Sequence, residues 1–214
     1  MTRVRVYSIF ERSWHWLQAL AIIFLLITGA EIHAPERVRL FGFPTATRVH
    51  EALALFTIAN AFLSLFYHIA TGALRQFIPR PTNFFSLAFA QIEYYTRGIF
   101  TGAPHPFVHS DDSKLNVLQQ MTYLVVLNVL LPVQVGTGIL MWKAHDWAGL
   151  VTSLGGLPVV AAIHVACAWG FAAFIVMHVY LTTTGRTPTS HMRAMVLGWD
   201  LKHEAKHEVE HETK

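Results

Sequence analysis

Apolar residues gather along the chain into four long runs, separated by stretches in which charge, proline and glycine return. The first extends from Trp14 to Ile32 and is interrupted only by His15, Gln18 and Glu31. The second covers Val49 to Leu74, the third Leu115 to Trp142 and the fourth Leu157 to Thr182. Each nears or exceeds the roughly 20 residues a helix needs to cross a ~30 Å hydrocarbon core. The pattern predicts an all-α integral membrane protein, a four-helix bundle over residues 1–200, followed by a charged His/Glu-rich tail at 201–214. Arginines precede the first run as they would in a secretory leader. Against that reading, the run is long, no A-x-A cleavage pattern follows, and it carries a histidine flanked by tryptophans. One further stretch, Phe84 to Tyr95, is aromatic but too short to span, and suits either an interfacial helix or an ordinary loop helix.

Composition agrees with this placement. Of 214 residues, 53% are hydrophobic and 14% charged, where a soluble domain carries about a quarter charged. With four spans, both termini and the middle loop share one side. That side holds twelve of the 16 Lys and Arg, leaving Arg37, Arg39, Arg48 and Lys143 on the other. The positive-inside rule then puts both termini in the cytoplasm. This asymmetry also accounts for the basic balance, so nucleic acid is not implied. A single cysteine, Cys167, excludes an intrachain disulfide, and no CxxCH offers covalent haem attachment. Cys167 reads as a small buried residue.

The chemistry lies in the histidines. His164 and His178 bracket thirteen uncharged residues of the fourth run. A 14-residue step on a helix brings the two rings within ~40° of one face and ~21 Å apart along the axis. Ionisable groups inside a membrane are costly and usually functional. His15 begins the first helix level with His178, and His50 begins the second level with His164. Facing pairs of neutral imidazoles on neighbouring helices are what bis-histidine haem iron requires. Zinc would instead want three or four ligands converging at one depth. Gly29, Gly136, Gly138, Gly170, Ala166 and Ala168 leave room for a large planar guest, and small residues also permit close helix packing. His68 falls on the same face as His50, five turns on. Pairing it with His178 would match ~27 Å on the second helix against ~21 Å on the fourth, and would leave His15 without a role.

These residues resemble a known family. Arg12-Ser-Trp-His-Trp followed by Thr28-Gly29 is similar to the first helix of bacterial di-haem b-type cytochrome subunits, which anchor nickel–iron hydrogenases, formate dehydrogenases and thiosulfate or polysulfide reductases. Arg48-Val-His50 resembles the start of their second helix. Lys114-Leu-Asn-Val-Leu-Gln119 with Thr137-Gly138 resembles the third, and His164, His178 and Val179-Tyr180 the fourth. The resemblance runs from about Ser13 to Asp200. It implies the pairs His15 with His178 and His50 with His164 as axial ligands of two non-covalent haems b. It further implies exchange of electrons with membrane quinone or quinol near the cytoplasmic haem, with Asn116 and Gln119 lining the quinone pocket. Phe66-Tyr67-His68 departs from the family's usual end to the second helix, which leaves His68 as a quinone neighbour, a propionate contact or an interfacial residue.

The function expected is transmembrane electron transfer between quinone and a redox partner. The chain has no nicotinamide or flavin fingerprint and no iron–sulfur cysteines, so it reads as the cytochrome b subunit of a quinone-linked oxidoreductase. The partner subunit would carry the substrate-converting centre: iron–sulfur, molybdopterin, hydrogenase or multihaem cytochrome. A small transporter with a histidine proton relay and a cofactor-free membrane anchor are the alternatives, which a visible spectrum separates. In the tail, His203, His207 and His211 share one helical face able to take a divalent metal, but alternating charge reads first as a solvated segment. The loop stretch from His105 to His109 is given no chemistry.

Overall fold

The computed structural model describes residues 2–72, 74, 84–103, 117–185 and 187–202. In chain order these form β1 (Thr2–Arg5), α1 (Ile9–His33), α2 (Phe43–Ala70), α3 (Phe84–Glu93) and α4 (Ile99–Thr101), then α5 (Val117–Val125), α6 (Leu131–Trp142), α7 (Ala148–Ser153), α8 (Leu157–Thr182), α9 (Ser190–Leu197) and β2 (Trp199–Lys202). Among the described residues, four helices are long and apolar enough to cross a membrane: α1, α2, Leu118–Trp142 and α8. The protein is an all-α membrane protein built on those spans. It divides into two compact units, one of Met1–Leu17 with Met177–Lys214 and one of Gln18–Val176.

In the first unit, α1 begins at Ile9, five residues before the apolar run. The reason is a capping box. The Ser8 N–H donates to Glu11 Oε2 at 2.7 Å, and the Glu11 N–H donates to Ser8 Oγ at 3.1 Å. Two orphan donors of the first turn are thereby satisfied in a polar stretch that hydropathy does not register. An antiparallel ladder, absent from the hydropathy pattern, joins the chain ends: Thr2 pairs with Lys202 and Arg5 with Trp199. α9 leads into β2 through Gly198, whose φ of +86° suits a residue without Cβ. The Gly198 carbonyl accepts the Val6 N–H at 2.9 Å, and Arg12 Nη1 donates to the Val196 carbonyl at 2.5 Å.

In the second unit, α2 starts at Phe43, six residues before its apolar run. Gly42 stands before it with φ +82° and Pro44 occupies its first turn, where a missing N–H costs nothing. The turn between α1 and α2 is held by Glu31, 1% exposed. Its carboxylate accepts the N–H groups of Leu40, Phe41 and Gly42 at 2.8–3.1 Å. A buried carboxylate is tolerable when charge-assisted bonds surround it in this way. At its other end α2 stops at Ala70, four residues short of the apolar run, with Thr71 Oγ1 bonded back to the Tyr67 carbonyl.

The third span is not a uniform helix. Between α5 and α6 lies a π-helical turn at Val126–Leu130, ending two residues before Pro132, which has no N–H for the ladder and crowds the preceding turn. α3 packs against α5. It turns Phe85 and Phe89 outward and buries Ala88 and Gln91. Burial in the spans runs opposite to that of a soluble protein. Thr28, Thr57, Asn60, Ser64, His68 and Thr137 are buried, while Phe66, Trp169 and Val176 are each more than 70% exposed. With lipid as solvent, apolar side chains face outward and hydrogen-bonding ones face helices.

Candidate functional site

Two pairs of imidazole rings come together, one in each unit. In the first, His15 of α1 and His178 of α8 have ring centroids 6.0 Å apart with planes at 47°. His15 is flanked edge-on by Trp16 at 5.3 Å. Trp16 Nε1 in turn donates to the Met195 carbonyl of α9 at 3.3 Å. Arg12 and Trp16, the residues around His15 in the Arg-Ser-Trp-His-Trp stretch, therefore bind the end of α9 and fix the start of α1. Nδ1 of His15 is buried with no hydrogen-bond partner among the described residues.

In the second unit, His50 of α2 and His164 of α8 have centroids 6.3 Å apart with planes at 63°. His50 Nδ1 lies 2.9 Å from Thr28 Oγ1, and His164 Nδ1 lies 3.0 Å from Thr137 Oγ1. A Cβ on Gly29 would stand 3.3 Å from His50 Cε1, and one on Gly138 3.2 Å from His164 Cε1. Those two glycines make room for the rings themselves. Gly170 instead accommodates Leu130, 3.0 Å from its would-be Cβ, as close helix packing requires, and none of the described residues lies within 4 Å of a Cβ at Gly136. His164 Nε2 is met by Gln134 Nε2 at 3.0 Å.

Both pairs suit trans ligation of one metal. Two metal–imidazole bonds of about 2 Å, with the half-widths of the rings added, leave centroids roughly 6 Å apart. Both separations meet that requirement. The orphaned nitrogen of His15 also argues against a ring kept only as a structural hydrogen-bonder, since buried polar atoms are ordinarily paired. Among the described residues, no cluster of three or more His, Cys, Asp or Glu able to hold a metal ion occurs. The donor set is two imidazoles per site, which suits a metal whose other four ligands come from a macrocycle.

The remaining candidates behave differently. Gln119 is half-buried on α5, and Asn116 lies outside the described residues. His68 is buried near the end of α2, with its Nδ1 2.7 Å from the Ser64 carbonyl and 3.2 Å from Ser64 Oγ. Its ring is turned onto its own helix, and the ring that faces His178 is His15. The stretch from His105 to His109 and the tail histidines also lie outside the described residues. Hydropathy and histidine spacing did not reveal the bonds of Thr28 and Thr137, the ring contact of Gln134 or the buried role of Glu31. The available signal was the Thr-Gly dipeptide occurring in both the first and third spans.

The chain is similar to known membrane cytochromes. A family model described as prokaryotic cytochrome b561 matches residues 6–198. A protein of Escherichia coli (strain K12) named as cytochrome YdhU is 30% identical over 197 residues, covering 92% of this chain and 74% of that protein. One of Azospira oryzae, named as the protein-methionine-sulfoxide reductase subunit YedZ1, is 25% identical over 178 residues, covering 78% and 85%. A third, of Cupriavidus necator, named as a Ni/Fe-hydrogenase B-type cytochrome subunit, is 26% identical over 196 residues, covering 82% and 77%. No solved structure matches the chain.

Proposed function

This chain belongs to the prokaryotic cytochrome b561 family of haem b membrane electron-transfer proteins, and we propose that it holds two haems and links membrane quinone to a partner redox subunit. The observation that carries this reading is the presence of two separate imidazole pairs with the centroid spacing of trans axial ligands. His15 and His178 hold one haem, and His50 and His164 the other. Bound haem supplies reversible one-electron chemistry. The protein supplies the ligands and orients them with side chains of neighbouring helices.

Asn116 and Gln119 line the quinone site. Their amides offer both donors and acceptors, which suits a quinone carbonyl and a quinol hydroxyl alike. The partner carries the substrate-converting centre. This follows from the lack of iron–sulfur, flavin or nicotinamide motifs here and from relatives named as subunits of a hydrogenase and of a methionine-sulfoxide reductase. By the distribution of Lys and Arg, both termini lie on the cytoplasmic side, and the family likeness makes the membrane a bacterial inner one.

Haem content of ligand variants tests this directly. The purified chain should yield two haems, both extracted by acid–acetone because no thioether attachment exists. His50→Ala and His164→Ala should each lose the same haem, His15→Ala and His178→Ala the other, and His68→Ala neither. Retention of both haems by His15→Ala would refute the assignment.

A further inference from the structure

Thr28-Gly29 of α1 and Thr137-Gly138 of α6 treat two different rings alike. The threonine oxygens stand 2.9 and 3.0 Å from Nδ1 of His50 and His164. The would-be Cβ atoms of the two glycines stand 3.3 and 3.2 Å from the Cε1 atoms of the same rings, and 3.8 Å from Nδ1 in both cases. The same seat is thus built twice, from different helices, to tolerances of about a tenth of an ångström.

The threonines also favour one ring nitrogen as the carrier of the proton. Thr28 Oγ1 donates to the Phe24 carbonyl at 2.8 Å, and Thr137 Oγ1 donates to the Val133 carbonyl at 2.7 Å. A hydroxyl has one proton and two lone pairs, so each oxygen offers the imidazole only a lone pair. With its proton on the helix carbonyl, the hydroxyl receives a hydrogen bond from Nδ1 of the ring. A neutral imidazole has one N–H, which leaves the lone pair on Nε2. Gln134 Nε2 stands 3.0 Å from His164 Nε2, and it has to turn aside for that lone pair to reach a metal. His15 provides the contrast, because its buried Nδ1 has no hydrogen-bond partner among the described residues.

We propose that Thr28 and Thr137 are positioning residues that lock His50 and His164 with Nε2 toward the metal and lower the reduction potential of the haem those rings hold. The proposal rests on the ligand assignment above. An imidazole that donates its outer N–H becomes a more basic ligand, which favours ferric over ferrous iron. Second-shell hydrogen bonding is one of the levers by which proteins set haem potentials. Loss of either hydroxyl raises the potential.

The test is a potentiometric titration of the full-length, haem-loaded chain, with electron paramagnetic resonance of the ferric haems as a second readout. Valine matches threonine in shape and lacks the hydroxyl. In Thr28→Val or Thr137→Val, the reduced-to-oxidised ratio of one haem at fixed ambient potential should rise roughly three- to tenfold, the worth of one hydrogen bond. That is about 28–59 mV at 59 mV per tenfold for one electron. The His15–His178 haem should titrate as in the parent, and Thr28→Ser should restore the parental value. If Thr28→Val does not retain the haem, Thr28→Ser decides: a parental titration supports the proposal, and haem loss despite the hydroxyl overturns it. If His50→Ala removes one haem while both valine variants leave its potential and ferric signal unchanged, the tuning role is wrong and the ligand assignment stands. If His50→Ala keeps both haems, the ligand assignment fails and the tuning role fails with it.

Discussion

Single atoms decide how the His50–His164 pair is held. Gly136 and Gly138 are two residues apart on α6, yet a Cβ on the first meets none of the described residues within 4 Å while one on the second comes 3.2 Å from His164 Cε1. Gly138→Ala should therefore push the ring by a few tenths of an ångström, a displacement visible in the ferric resonance spectrum of the haem bound there. A parental spectrum in Gly138→Ala would refute the contact. The three polar interruptions of the first apolar run also find their meaning at this scale. His15 faces His178, Gln18 accepts from Asn60 Nδ2 at 2.7 Å, and Glu31 gathers three backbone amides. That these residues are exceptions is legible in the sequence, because polar groups in an apolar run are costly. Their partners are not, since each lies on another helix or on a turn whose course the run does not specify.

Among the elements, the spanning helices were the readable part, because their apolar length has only to exceed the hydrocarbon thickness. Their starts were not. α1 and α2 begin five and six residues before the apolar runs, through the Ser8–Glu11 capping box and through the Gly42 turn with Pro44. Caps are polar and local, so hydropathy passes over them. The ladder of β1 and β2 was unreadable for another reason: its strands come from opposite ends of the chain, and four residues of strand carry no pattern of their own. Gly198 is its weak point. A Cβ there would stand 3.1 Å from Arg12 Cζ and from the Tyr7 carbonyl, at a φ of +86°. Gly198→Ala should cost about 1–2 kcal/mol from the backbone alone, with the contacts adding to it. Hydrogen exchange should then show faster exchange of the α9 and β-ladder amides, with α2 unaffected.

For the whole molecule, the expectation is that electrons enter or leave by way of quinone. In the double variant Asn116→Leu/Gln119→Leu, reduction of the haems by a quinol analogue should slow by about tenfold or more, the effect of losing roughly one good hydrogen bond in the transition state. Dithionite should still reduce both haems fully. Parental rates with quinol would place the quinone site elsewhere. By itself the sequence determined that the chain is a membrane protein of four spanning helices, because continuous apolar length is a one-dimensional property. It also singled out four histidines, through helical periodicity that assigns residues of one helix to one face. The tertiary structure alone decided which rings meet, that threonines take their Nδ1 atoms, and that Gly29 and Gly138 stand against them. Those contacts depend on the rotation and axial register of one helix against another, and displacements of an ångström that make or break them leave no trace in the pattern of either helix.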